Sequence, residues 1–321
     1  IEQVEKQFEE SVKLFQKEKS IKIGRYSPDA PVYVDNEPYL WGNDILDGGA
    51  GNDTFNVNSG TDAITDLTTG DILIITSGCT ANATGITAFT ATSATVNNST
   101  VDKGNLTAAS GGVTIDLSLV TTGSFTVTGG SGADTLKGGD GGDIITGAGD
   151  NDIIQGGSGA DSLTGGAGND IMTGNAGADT FNVDSGTDSI VDLTTTDILK
   201  VTSGAIANAT GISAFVATSD TTNGGAANLS GANTGITIDV TNSASGVYTI
   251  TGGTGADTLK GGTGADTISG GIGNDAITGN GGADIITGGS GSDTLTGNAG
   301  NDRFNVDSGT DTVTDLGGGS G

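Results

Sequence analysis

Fourteen aspartates occupy one fixed place in a nine-residue phrase. Asp134, Asp143, Asp152, Asp161, Asp170 and Asp179 stand sixth in six consecutive nonamers from Gly129 to Asn182, beginning GGSGADTLK and GGDGGDIIT. Asp257, Asp266, Asp275, Asp284, Asp293 and Asp302 do the same from Gly252 to Asn305, and Asp44 and Asp53 in a shorter block near the start. Carboxylates and glycine-turn carbonyls are hard oxygen donors. Calcium accepts about 6–8 such oxygens in flexible geometry, whereas magnesium demands a stricter octahedron and keeps its water. The chain has no His, and its one cysteine, Cys79, lies outside the repeats, so nitrogen- and sulfur-seeking metals have little to hold. General acid–base catalysis needs two carboxylates in different environments. These are all placed alike, and no enzymatic role is expected. GxGxxG-like strings such as GNGGAD are by-products of the repeat and not phosphate loops.

The rest of each nonamer says how the Asp is positioned. Glycines at the first, second and fourth places supply positive φ and close backbone approach, as a tight turn requires. The three residues after the Asp, such as Thr135, Leu136 and Lys137, alternate outward, inward, outward in the manner of a short strand. The inward, eighth place holds Leu136, Ile145, Ile154, Leu163, Met172 and Phe181 in one block, and Leu259, Ile268, Ile277, Ile286, Leu295 and Phe304 in the other. Leu46 and Phe55 take it near the start. Two nonamers then make one coil, with a strand in each of two parallel sheets and a thin apolar seam between them. Turns on one edge stack at about 4.8 Å, so Asp134 is expected over Asp152 and Asp143 over Asp161. Like charges so close repel, and glycine turns expose carbonyls; a cation between stacked turns answers both.

The register outlasts the glycines. Nine residues past Asp179 comes Asp188, and nine more bring Asp197; likewise Asp53 leads to Asp62 and Asp71, and Asp302 to Asp311. A longer repeat is laid over the short one: TSGCTANATGITAFTATS at 76–93 returns as TSGAIANATGISAFVATS at 202–219, and 306–316 begin a third copy. Between the blocks, VTIDL at 113–117 matches ITIDV at 236–240, and FTVT at 125–128 matches YTIT at 248–251, all strand-forming strings.

Composition agrees with a thin core. Among 321 residues are 60 Gly but only 8 Phe, 4 Tyr and 1 Trp, and the formal net charge is −28. Beyond residue 38 every acid is Asp, which suggests that side-chain length matters. Such a charge makes nucleic acid a poor partner. No apolar run is long enough to cross a bilayer, and one cysteine builds no disulfide framework. Residues 1–20 place Val4, Phe8, Val12 and Phe15 at helical spacing, and residues 28–38 hold all three prolines.

GGSGADTLK, GGSGADSLT, GGAGNDIMT and GGTGADTIS resemble the repeats-in-toxin (RTX), or hemolysin-type, calcium-binding nonapeptide GGxGxDxUx. The strict match covers 129–182 and 252–305, with a partial match at 39–56. Departures are Asp150 for the fourth Gly, Ala148, Asn175, Asn280 and Asn298 for the second, and Tyr39–Trp41, which lack the first two. The resemblance implies a parallel β-roll with Ca2+ in the turns, export by type I secretion machinery, and folding outside the cell.

The expected fold is thus all-β: parallel β-roll (β-solenoid) blocks joined by β-rich spacers, with a short N-terminal helix. Residues 1–38 form the amphipathic helix and Pro-containing linker, 39–74 a short degenerate block, and 75–128 a β-rich spacer. Residues 129–200 form a block with a degenerate tail, 201–251 the second spacer, and 252–316 a block with the start of a third tail. The expected role is calcium-dependent folding of a non-catalytic part of a secreted or cell-surface protein, such as an adhesin or S-layer-like array. The alternative is the secretion and stability region of an exported enzyme or toxin.

Overall fold

The computed structural model describes residues 42–99 and 104–315, together with the backbone of two short strands, Lys22–Ile23 and Tyr33–Val34. Within them the chain is an all-β parallel solenoid of about 15 turns. The helix expected over residues 1–20 lies outside the described residues. Tyr33–Val34, inside the expected linker, instead pairs in parallel with Thr54–Phe55. Among the described residues no helix is long and apolar enough to cross a membrane.

One coil per two nonamers follows from the strand register. Leu136 lies opposite Ile154 and Ile154 opposite Met172 on one wall, and Ile145 opposite Leu163 and Leu163 opposite Phe181 on the other. All six side chains are fully buried, and the seam continues through Leu259, Ile268, Ile277, Ile286 and Leu295. One apolar side chain per nonamer offsets only part of the conformational entropy of ordering nine residues. Hydrogen bonding must therefore carry much of this fold.

The strands are longer than the three residues expected. Thr135–Lys137 is that short, but Ile144–Gly149, Ile153–Ser158 and Ile171–Ala176 run six residues, because stacked turns pair with each other. Gly139 O accepts from Ser158 N–H at 2.8 Å and Ala176 O from Gly159 N–H at 2.7 Å. Many turn carbonyls expected to lack partners thus have one.

The strands form parallel sheets of 11, 13, 4 and 6 members among the described residues. Each spacer keeps one wall and exchanges the other. Through the first, the 11-stranded sheet runs unbroken by way of Thr80–Ile86, Gly104–Ala108 and Phe125–Thr128. The opposite wall passes from the 4-stranded sheet, ending at Val96–Asn97, to the 13-stranded sheet, beginning at Ala88–Thr90. Through the second spacer the 13-stranded sheet is the continuous one, and the 11-stranded sheet gives way to the 6-stranded one at Thr222–Asn223 and Ala214–Val216. The two copies of the long repeat consequently lie on opposite walls, Thr80–Ile86 in one and Ile206–Ile212 in the other.

Spacers differ from blocks in what holds them. Val113, Ile115, Leu117, Val120, Phe125 and Val127 are buried together, and Asn105 donates to Asn82 at 2.7 Å as Asn228 does to Asn208. Where each spacer meets its block, a Lys reaches back to a spacer Asp: Lys137 to Asp116 at 3.0 Å and Lys260 to Asp239 at 2.8 Å.

Candidate metal centre

Each sixth-place Asp ends a glycine turn just before a strand, and its carboxylate folds back under that turn. Within the blocks its Oδ1 accepts the backbone N–H of the Asp one coil earlier; at the entrances the donors are Val113 to Asp134, Phe125 to Asp143, Ile236 to Asp257 and Tyr248 to Asp266. Asp152 receives Asp134 N–H at 2.7 Å, Asp161 receives Asp143 at 2.7 Å, Asp170 receives Asp152 at 2.8 Å and Asp179 receives Asp161 at 2.9 Å. In the second block Asp275, Asp284, Asp293 and Asp302 receive Asp257, Asp266, Asp275 and Asp284. Asp53 donates likewise to Asp71, and Asp44 to Asp62. The stacking expected of Asp134 over Asp152 and Asp143 over Asp161 is present. One ladder precedes the strands of one wall and the other those of the opposite wall, so the two run along opposite edges of the solenoid.

The second carboxylate oxygen is the unusual one. Oδ2 of Asp152, Asp161, Asp170, Asp257, Asp275, Asp284 and Asp293 is buried and meets no hydrogen-bond donor. A buried acceptor without a donor costs on the order of 1–3 kcal/mol, more when charged. Burial, the largest cause, raises the carboxyls of Asp152, Asp161, Asp170, Asp257, Asp275 and Asp284 above the ordinary Asp range against the lowering effect of a backbone donor, and neighbouring carboxylates add to it at all of these but Asp257. Asp161 is pushed up to about 7, with Asp143 and Asp179 beside it, and Asp152 and Asp284 to about 6.

Glycine serves this oxygen in a way that turn conformation does not explain. A Cβ on first-place Gly147 would collide with Asp152 Oδ2 and the Gly165 carbonyl oxygen, and one on Gly156 with Asp161 Oδ2. Neither glycine has left-handed φ. The first glycine is there for room; in most nonamers the second and fourth places carry the positive φ, as at Gly157 (116°) and Gly159 (132°), though not at Gly130, Gly132, Gly139 and Gly141 in the first two. Asn175, Asn280 and Asn298 adopt 69°, 72° and 66° at the second place, which Asn tolerates, while Ala148 is held at 86°.

An orphaned carboxylate oxygen, a backbone carbonyl and a space that one side-chain atom would fill suit a hard cation. The donors are all oxygen, as calcium prefers. Among the described residues no three His, Cys, Asp or Glu side chains group together, so a cation held here would draw on one or two carboxylates and on backbone carbonyls such as that of Gly165.

The fourteen predicted positions are not equivalent. Asp44, Asp53 and the twelve block aspartates all occupy the ladders, buried except for half-exposed Asp302 in the last coil. At the block entrances, however, Oδ2 of Asp134, Asp143 and Asp266 already accepts from the N–H of its own turn, from Gly130 at 2.6 Å, Gly139 at 2.9 Å and Gly262 at 2.7 Å. Sequence reasoning missed a second group. Asp66 accepts from Gly48 and Gly49, Asp184 from Gly166, Asp192 from Gly174 and Asn175, and Asp307 from Gly289, capping turns one coil earlier. An offset of 18 residues from a turn glycine is the signal that finds them.

The family model described as RTX calcium-binding nonapeptide repeat (4 copies) matches residues 41–65, 128–163, 155–190, 249–277 and 278–313. These spans contain all fourteen ladder aspartates and, with residues 183–190 and 306–313, parts of the tails. No curated protein matches the chain. With Asp, glycine cradle and inward apolar residue in register through these spans, the chain carries RTX calcium-binding nonapeptide repeats.

Proposed function

We propose that this chain is a non-catalytic, calcium-folded stretch of a secreted or cell-surface protein, and that the ladder aspartates hold the ions. The buried, donor-less Oδ2 atoms carry the reading. Without a cation each ionised ladder sets like charges one coil apart in a place water does not reach. With one, the oxygens are partnered and the repulsion is cancelled. Binding free energy then becomes folding free energy. Calcium modules outside cells work at about 0.1–1 mM, far above the free calcium of a cytosol. A chain tuned to that range stays open inside and closes outside, which suits export through a narrow channel such as type I secretion machinery. Repetition of one structural unit over most of the described residues favours an extended surface array, adhesin or S-layer-like, as its use. Circular dichroism during calcium titration and subsequent chelation is the test: β signal should appear with calcium and vanish with chelator, and a β signal indifferent to both would sink the reading.

A further inference from the structure

We infer that the cation ladder ending in the first full block runs one coil past its glycine-rich repeats, to a site between Asp170 and Asp188, while the ladder on the opposite edge stops before Asp197. The inference rests on the calcium reading above and extends it to a turn that lacks the glycine signature. The nonamer carrying Asp188 reads VDSGTDSIV, with Val183 and Asp184 where two glycines would stand. Asp188 is nevertheless fully buried, and its Oδ1 accepts Asp170 N–H at 3.0 Å. Its Oδ2 meets no donor.

The room for a cation comes from the coil below. Gly165 has no side chain, and the space where its Cβ would stand is bordered by Asp170 Oδ2 and, at 3.1 Å, by Asp188 Oδ2. Two orphaned oxygens from successive turns thus face one hollow that a single glycine provides. A site between two turns needs a first-place glycine on only one of them, so the series can continue one turn into a tail. Asp184 caps Gly166 N–H at 2.9 Å and sets a third negative charge close by. The second full block ends the same way: Asp311 Oδ1 accepts Asp293 N–H at 3.1 Å, its Oδ2 meets no donor, and Asp307 caps Gly289.

Asp197 lies equally deep but is closed. Its Oδ1 accepts Asp179 N–H at 2.9 Å, and its Oδ2 accepts both the N–H and the hydroxyl of Thr194 at 2.8 Å. Asp71 is closed in the same way by Thr68, at 2.7 and 3.1 Å. The Thr-x-x-Asp turn supplies the donors that a cation would otherwise replace.

Counting calcium bound to the full chain by equilibrium dialysis at about 1 mM tests this, with circular dichroism in the same buffer reporting the fold. Asp188→Asn keeps the Oδ1 acceptor and removes the charge, and should bind one calcium fewer than the parent. Asp197→Asn should bind the parent number. An unchanged count for Asp188→Asn, or a lost ion for Asp197→Asn, overturns the proposal while leaving the calcium reading intact; a parent that binds none overturns both. Should Asp188→Asn fail to fold, Asp311→Asn in the last coil gives the same decision: one ion fewer supports the placement, and an unchanged count overturns it.

Discussion

Asp143 N–H donates to Asp161 Oδ1 at 2.7 Å across one coil, while Asp161 Oδ2, on the same carboxylate, meets no donor. One carboxylate oxygen thus serves the sheet ladder, and on the function proposed above the other serves an ion. The two can be separated, because an amide keeps the first and loses the second.

Asp161→Asn should therefore act in opposite directions with and without metal. In chelator it removes a buried charge without a donor and should stabilise the chain by about 1–3 kcal/mol. In calcium it should weaken binding and destabilise. Urea unfolding in both buffers reads the sign; the same sign in both would show that Asp161 does not hold an ion. Asn in place of Asp116, whose partner is Lys137, should leave calcium binding unchanged.

The pH dependence of the metal-free chain should be inverted from the usual. Carboxyls pushed up to about 7 at Asp161 and Asp188 and about 6 at Asp152 and Asp284 bind more protons folded than unfolded. Their contribution is fully present below the unfolded value near 3.8 and is lost as pH rises through 6–7. Circular dichroism in chelator should show β structure growing on acidification from neutrality toward pH 4.5 or so, roughly the span between those values. With calcium the trend reverses, since protons compete for the same oxygens and the calcium midpoint should rise as pH falls.

Two small substitutions separate room from conformation. Gly156→Ala leaves an ordinary φ but sets a methyl on Asp161 Oδ2, and calcium titration should show that site lost. Ala148→Gly relieves a φ of 86° and should stabilise by about 1 kcal/mol without altering the calcium count, measured by thermal unfolding and dialysis. Equal effects of both on the count would refute a steric role for the first glycine.

Hydrogen exchange in chelator should divide the chain. The spacers, 75–128 and 201–251, bury several apolar side chains where a nonamer buries one, as Val113, Ile115, Leu117 and Val120 do, and their Asp116 and Asp239 are paired with Lys. Burial works against these two carboxyls. Ser118 and Lys137 for Asp116, and Lys260 and Thr241 for Asp239, nevertheless hold them below the ordinary range. Spacer amides should stay protected longer than those of 147–182 and 270–305, where the orphaned oxygens concentrate. Uniform exchange along the chain would count against this division.

Much of the fold is legible in single residues. The eighth-place series from Leu136 to Phe181 fixes the inward face, and the spacing of Asp134 and Asp152 fixes the coil, because both depend only on a period of nine counted along the chain. What stays hidden depends on neighbours a coil away. The caps at Asp66 and Asp192 sit outside the nine-residue register and show only when turns are stacked. The closure of Asp134 by Gly130 N–H is set by the local path of a turn, which GGSGAD shares with the open site at Asp161. The exchange of walls in the spacers is likewise unreadable, since it follows from coils of other lengths: Leu106 pairs with Ala83 and with Val127, offsets of 23 and 21 residues.

That exchange makes the molecule two-sided. Thr80–Ile86 and its near-identical copy Ile206–Ile212 turn Thr80, Asn82 and Thr84, and Ile206, Asn208 and Thr210, outward from opposite walls. The long repeat thus advances along the axis with a half-turn, in the manner of a two-fold screw. Whatever meets the outer surface of one copy finds the matching surface of the next on the far side of the rod.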